Sequence, residues 1–180
     1  MSEHIGRTGA NRLYSYPENV RGAAASVFAR NFGYGPATDA PVAIATTPGT
    51  EVPWGTRGVA GVDIHDIPIT PRSTGIIRIL AMIDVGNVTS AEKHLLVQVL
   101  LNGSAVEPED MQVTVPPANA PEEHNGYVLI PILIPEVAGL TIGTTYNVRI
   151  LLTALTADAL TIPLAQTTSI EVYEVAADTG

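Results

Sequence analysis

The feature that most constrains this chain is the stretch Ile69–Gly103, where apolar residues recur at every second position. Ile77, Ile79, Ala81, Ile83 and Val85 share one parity, and Leu95, Val97, Val99 and Leu101 repeat the pattern after a polar connection. A period of two places such side chains on one side of an extended strand. Asn102-Gly103 closes the second run, and that dipeptide suits the two successive positive φ angles of a tight hairpin turn. Two strands through the middle of a sheet are therefore expected here.

The same grammar continues along the 180 residues, with sixteen Gly and fourteen Pro punctuating short apolar runs. Val42 with Ile44, Met111–Val115, Tyr127–Ile134, Tyr146–Leu155, Leu160–Leu164 and Thr168–Val175 read as strands. In Val59–Thr70 the apolar parity changes near His65-Asp66, which predicts a bulge or bend. Pro68, Pro71 and Pro131 cannot donate to a ladder, so their segments belong at sheet edges or corners. The expected fold is all-β: an antiparallel jelly roll or β-sandwich of about eight strands over residues 41–180. An immunoglobulin-type sandwich is the second choice, weakened by the absence of Cys and by a lone Trp54 in a Pro/Gly loop.

Residues 1–40 read as an arm. Residues 1–30 carry Arg7, Arg12, Arg21 and Arg30 against Glu3 and Glu18, a balance of +2, and the rest carries −11, adding to −9. Ser15-Tyr16-Pro17-Glu18 matches a capping box, which predicts a short helix over 17–32 stopped by Gly33. The alternative is an irregular arm ordered by a neighbour. A basic arm on an acidic body points to a protein partner for the four arginines and away from nucleic acid.

Several strands are apolar on both faces. Leu80, Met82, Leu96 and Leu100 have no place in a core that already holds their neighbours, and the same holds for Val128, Ile130, Ile132, Ile134, Leu151 and Leu155. Monomers rarely expose apolar patches beyond a few hundred Å2. Self-association is expected, with Leu80, Met82, Leu96 and Leu100 as the subunit interface; coverage by the arm and long loops is the alternative. Periodicity does not separate a dimer from a trimer.

Little in the chain points to catalysis. Apolar runs of about ten residues, carrying Arg78 or Gln98, fall short of a membrane span, and the N-terminus lacks the apolar core of a signal peptide. With no cysteine there is no thiolate site. Asp63, His65 and Asp66 are the tightest group of metal-ligand types, but a site needs three or four ligands and a supporting shell. An exposed polar bend is the favoured reading, and no metal or cofactor is expected. Glu122, Glu123 and His124 read as a solvated loop. No nucleophile elbow or P-loop occurs, so no enzyme is expected.

The phrases Ile69-Thr70-Pro71-Arg72-Ser73-Thr74-Gly75-Ile76-Ile77-Arg78-Ile79 and Val97-Gln98-Val99-Leu100-Leu101-Asn102-Gly103 resemble runs in phage virion jelly-roll proteins. Tyr146-Asn147-Val148-Arg149-Ile150 resembles a later strand of the same proteins, and the likeness covers about residues 58–175. It implies a non-enzymatic homotrimer at the virion surface, a capsid cement or decoration protein docked on the major capsid protein through its arm. A fibre or tail-tip head that binds a receptor is the alternative. A carbohydrate-binding β-sandwich comes third, since one Trp and no aromatic platform make sugar stacking unconvincing.

Overall fold

The computed structural model describes residues 28–35, 40–55, 65–106, 111–118, 126–157, 159–163 and 168–176. These form twelve strands: β1 (Arg30–Gly35), β2 (Val42–Ala43), β3 (Thr50–Glu51), β4 (Ile67–Ile69), β5 (Ile77–Asn87) and β6 (Lys93–Leu101), then β7 (Ser104–Ala105), β8 (Met111–Val115), β9 (Tyr127–Val137), β10 (Tyr146–Ala154), β11 (Leu160–Ile162) and β12 (Thr168–Glu174). Two antiparallel sheets of six strands result. In one, β5 is flanked by β9 on one side and by β12 and β11 on the other, with β1 and β2 outside them; in the other, β10 and β6 are central, with β3, β4, β7 and β8 around them. No described helix is long and apolar enough to cross a membrane.

The pairing is nested. β1 pairs with β12, β4 with β10, β5 with β9, and β6 with β8, all antiparallel. A long hairpin rolled up on itself produces this order, and its eight members are the strands of a jelly roll. The remaining four strands are two or three residues long. The expected all-β jelly roll of about eight strands is therefore the observed architecture, with four short additions.

The core lies between the sheets and is built by the alternation read from the sequence. Ile77, Ile79, Ile83 and Val85 of β5 face Leu95, Val97 and Val99 of β6 and Val148, Ile150 and Leu152 of β10, all at most 2% exposed. Burying one such side chain contributes about 1.5–3 kcal/mol. Asn102 (φ 49°) and Gly103 (φ 82°) make the two-residue turn from β6 into β7, as the primed hairpin geometry requires. The crossing from β5 to β6 is shaped by the buried Asn87. Its amide donates to the carbonyls of Ala91 (2.8 Å) and Pro116 (2.9 Å), and its oxygen accepts from the Thr89 N–H (2.9 Å).

The N-terminal expectation needs correction. Residues 30–32, the last turn of the expected helix, belong to strand β1, and residues 17–27 lie outside the described residues. The strand also brings residues 30–35 of the expected arm into the body. Gly33 is not a helix stop. It sits mid-strand where a Cβ would lie 2.6 Å from Ile67 Cδ1 and 2.9 Å from Ile170 Cγ2. Trp54 lies in the connection between β3 and β4, as expected, but is fully buried beside this strand. In β9 the parity is reversed from expectation: Ile130, Ile132 and Ile134 are core residues at 2% exposure each, so Leu129, Pro131 and Leu133 point outward. Pro131 and Pro68 do lie on edge strands, pairing on one side only.

One carboxylate locks the point where the described chain begins. Glu174, 4% exposed, accepts hydrogen bonds from five backbone N–H groups. Its Oε2 takes those of Ala29 (3.0 Å) and Arg72 (2.8 Å), and Oε1 takes those of Ser73 (2.8 Å), Thr74 (2.6 Å) and Gly75 (3.2 Å). Burial alone would raise its pKa, but the donors of Arg72, Thr74, Ser73 and Ala29 outweigh burial and bring it down to about 2. The Gly75 φ of +65° completes this loop, and a Cβ there would drive into the Leu140 carbonyl.

Two predictions follow from these contacts. The Glu174 carboxyl is held below its ordinary 4.5, so its stabilisation is complete above pH 4.5 and is lost as pH falls through about 2. Urea unfolding from pH 6 to 2 should show this decline in the native chain. It should be smaller in Glu174→Gln, where Asp66 still contributes, and that variant should also be less stable at pH 6 by about 2 kcal/mol. Separately, Gly75→Ala should cost about 3 kcal/mol, because backbone strain and collision combine. Gly103→Ala, at φ +82° with nothing within 4 Å, should cost about 1 kcal/mol from conformation alone. Equal losses would contradict the role given to the Leu140 contact.

Candidate assembly surface

The outward face of the β5 sheet carries the candidate surface. Register aligns its side chains in rows across β9, β5, β12 and β1. One row runs Pro131, Met82, Ser169, Tyr34, and the next runs Leu133, Leu80, Glu171, Phe32. Leu133 is 58% exposed, Phe32 44%, Leu129 43%, Tyr34 37% and Met82 36%, while Leu80 is half-buried. Side chains of this size leave on the order of 400 Å2 of apolar surface in water. That is the scale at which a patch marks an interaction site.

One of the two guanidiniums on this face is ion-paired within the chain, and the other is held by neutral acceptors. Arg30 donates to Glu171 Oε1 through Nε at 2.6 Å and is ion-paired with it through Nη2, and its guanidinium lies 4.6 Å from the Phe32 ring centroid. Arg78 donates to the Pro135 carbonyl at 2.9 Å and lies 3.5 Å from the Tyr173 hydroxyl. Covering the face would bury Arg30 as an ion pair, whereas Arg78 keeps its hydrogen bonds without a carboxylate partner among the described residues, so burial at its end of the face carries a desolvation cost. Arg30, expected on the arm, belongs to this sheet face; Arg7, Arg12 and Arg21 lie outside the described residues.

The four expected interface residues are not one patch. Leu80 and Met82 are on the face just described, but Leu96 and Leu100 point out from β6 on the other sheet. Successive long strands β5 and β6 sit in different sheets, so their outward residues face opposite directions. Leu96 pairs across to the polar Thr153 and Gln112, and Leu100 to Arg149 and Ala105, and both are half-buried. Leu151, on the same face, is half-buried between Gln98 and Glu51, and Leu155 is exposed at the end of β10.

Arg149 organises the rim of that second face. It bonds both oxygens of Asp66, through Nε to Oδ1 and through Nη2 to Oδ2 at 3.0 Å, and donates through Nη1 to Glu51 at 2.8 Å. His65 Nδ1 lies 3.8 Å from the other oxygen of Glu51. The Arg149 hydrogen bonds hold the Asp66 carboxyl below its usual range, against the opposing effect of burial. Of the expected metal-ligand types, Asp66 is thus occupied by a guanidinium and His65 leans on a different acid, while Asp63 lies outside the described residues, as do Glu122, Glu123 and His124. Among the described residues no three or more His, Asp or Glu converge as a metal site.

A cavity of about 930 Å3 adjoins the candidate surface of the β5 sheet. Leu80, Glu171 and Tyr173 of the face form part of its lining, together with Phe28, Ala29, Pro68 and Arg72. The pair of hydroxyls on Thr70 and Thr145, 2.7 Å apart, closes the region between β4 and β10.

The sequence reading missed Phe32, Tyr34, Leu129 and Leu133 as surface residues. For β1 the inward positions include Gly33 and Gly35, which leaves no apolar alternation to read. For β9, large apolar residues occupy both parities, and only Pro131, which an outward edge position tolerates better than a packed one, distinguishes them.

No protein-family model matches the chain, and no curated protein matches it in sequence. Among solved structures it is similar to the Eiger TNF of S. frugiperda, with 10% identity over 83% of this chain and 94% of that one, at a TM-score of 0.42. At that level the likeness carries no inference about function.

Proposed function

We propose that the protein is a structural, self-associating component of a virus particle, a jelly-roll decoration protein that docks as trimers on the major capsid protein of a phage head. The observation that carries self-association is the outward face of the β5 sheet, contiguous and apolar, with Arg30 paired to Glu171. A standard interface takes about 800 Å2 from each partner, a little over half of it non-polar, and this face alone offers nearly that non-polar share. The trimer and the phage head rest on the likeness of Ile69–Ile79, Val97–Gly103 and Tyr146–Ile150 to phage virion proteins. Arg7, Arg12 and Arg21 are assigned to the coat contact, and Arg30 to the body.

The oligomer is the first test. Native mass measurement at micromolar concentration should give a trimer, and a stable monomer would overturn self-association. Leu133→Glu should weaken association at least a hundredfold with an unchanged far-UV spectrum, while Leu96→Glu, on the opposite sheet, should change it less than threefold. The reverse ranking would move the interface to the β6 sheet.

Docking is tested separately. Purified protein should co-sediment with heads that lack it, and Arg7→Ala/Arg12→Ala/Arg21→Ala should reduce the bound fraction at least tenfold while leaving the oligomer intact. Binding to tails or whole cells instead of heads would favour receptor recognition.

A further inference from the structure

Arg78 is the charged residue of the β5-sheet face that the described chain leaves unbalanced. It is half-buried, its Nε donates to the Pro135 carbonyl at 2.9 Å, and its Nη1 lies 3.5 Å from the Tyr173 hydroxyl. Both acceptors are neutral. Opposite it, the ladder between β5 and β9 shifts register: Ile77 pairs with Val137, and Ile79 with Ile134. Arg78 is therefore opposed by two residues, Pro135 and Glu136, in the manner of a bulge. Both are exposed, and the Glu136 carboxylate has no partner among the described residues.

We propose that Arg78 of one copy pairs with Glu136 of a second copy, and that this corner of the face lies at the symmetry axis of the oligomer. The pairing rests on self-association through this face and specifies its centre. Three features single out Glu136. The first is charge: of the other described acids on the face, Glu171 is bound to Arg30 and Asp84 is also engaged. The second is setting. Leu133 and Leu80 form the next row, so a copy that covers them also desolvates Arg78, at a heavy penalty unless a carboxylate arrives with it. The third is geometry. Arg78 and Glu136 oppose each other across one ladder, whose strands are about 4.8 Å apart. Groups so close can exchange partners between copies only around an axis that passes beside them. Each Arg78 then meets a neighbour's Glu136, all pairs are equivalent, and the set closes.

The pair supplies what the apolar rows lack. Aliphatic surfaces pack in many orientations, whereas a cation beside an anion admits few, because like charges brought together there repel. Leu133, Leu80 and Met82 contribute area, and Arg78 with Glu136 sets the orientation in which that area is buried.

The experiment uses the full chain and begins with the unmodified protein. A monomeric native mass at micromolar concentration would overturn self-association, and this pairing with it. Given an oligomer, Arg78→Glu and Glu136→Arg should each weaken association by about thirtyfold or more. The double variant should return to within about fivefold of the unmodified chain. Unchanged association in the single variants, or no recovery in the double variant, would overturn the pairing and leave self-association standing. Pro135→Cys then locates the axis, since it keeps both charges and the backbone carbonyl that Arg78 uses, in a chain with no other cysteine. Mild oxidation should join two chains through it, read as a dimer mass under denaturing conditions. Gln112→Cys, exposed on the other sheet, should give about a tenth of that yield or less. Equal yields, or no disulfide from Pro135→Cys in an oligomeric protein, would overturn the placement of the axis.

Discussion

The Glu174 carboxylate is the interaction on which the arrangement of the β5 sheet depends. It gathers three stretches that are distant in sequence: the backbone at Ala29, the loop Arg72–Gly75 that leads into β5, and the end of β12. The first two bring the N–H groups and β12 the carboxylate, and a buried unsatisfied donor costs about 1–3 kcal/mol. One ionised side chain answers five of them, which is why the carboxylate stays charged despite burial. The consequence is geometric. With β1, β5 and β12 held in register at one end, their outward residues line up in rows, and those rows make the apolar face.

Much of this architecture was legible because period-two alternation is a direct imprint of a two-layer sandwich. Ile77–Val85, Leu95–Val99 and Val148–Ala154 are core strands in both readings, and Asn102-Gly103 is the turn it looked like. What failed did so where side-chain pattern and backbone role part company. The inward positions Gly33 and Gly35 in β1 carry no hydrophobic mark, since the space a side chain would fill is taken by Ile67, Ile170 and Trp54. A capping-box motif then suggested a helix running into residues that are strand. Glu174 gave no sign of its role, for its partners are backbone groups, which every residue has.

The candidate surface was half legible. That some apolar residues had no core to enter was readable from composition by parity, and Leu80 and Met82 are among the outward residues. Which residues share a face was not, because pairing between strands is long-range. Leu96 and Leu100 follow Leu80 and Met82 closely in sequence, yet a crossing fixed by Asn87 sends them to the other side of the molecule. The polar group Asp63, His65 and Asp66 shows the same limit. Proximity in sequence made these the tightest group of metal-ligand types, read as an exposed polar bend, and gave no sign that Arg149 from a distant strand claims Asp66.

The edges of the sandwich bear on how copies can meet. An unpaired edge is a template for adding a strand from another molecule, and proteins blunt such edges with prolines, bulges or very short strands. Here β9 is the long edge of the β5 sheet and carries both Pro131 and Pro135, with a shift in register opposite Ile77–Ile79. At the other margins β2, β3 and β7 are two residues each, while β1 and β8, of six and five residues, pair along one side. Edge-to-edge growth is thereby opposed at β9 and at the two-residue margins. The same strand β9 that is closed to hydrogen-bonded addition presents Leu129 and Leu133 outward, more than two-fifths exposed. Association that uses β9 must therefore proceed through its face, by packing side chains, and face packing closes into a finite assembly far more readily than an open ladder does.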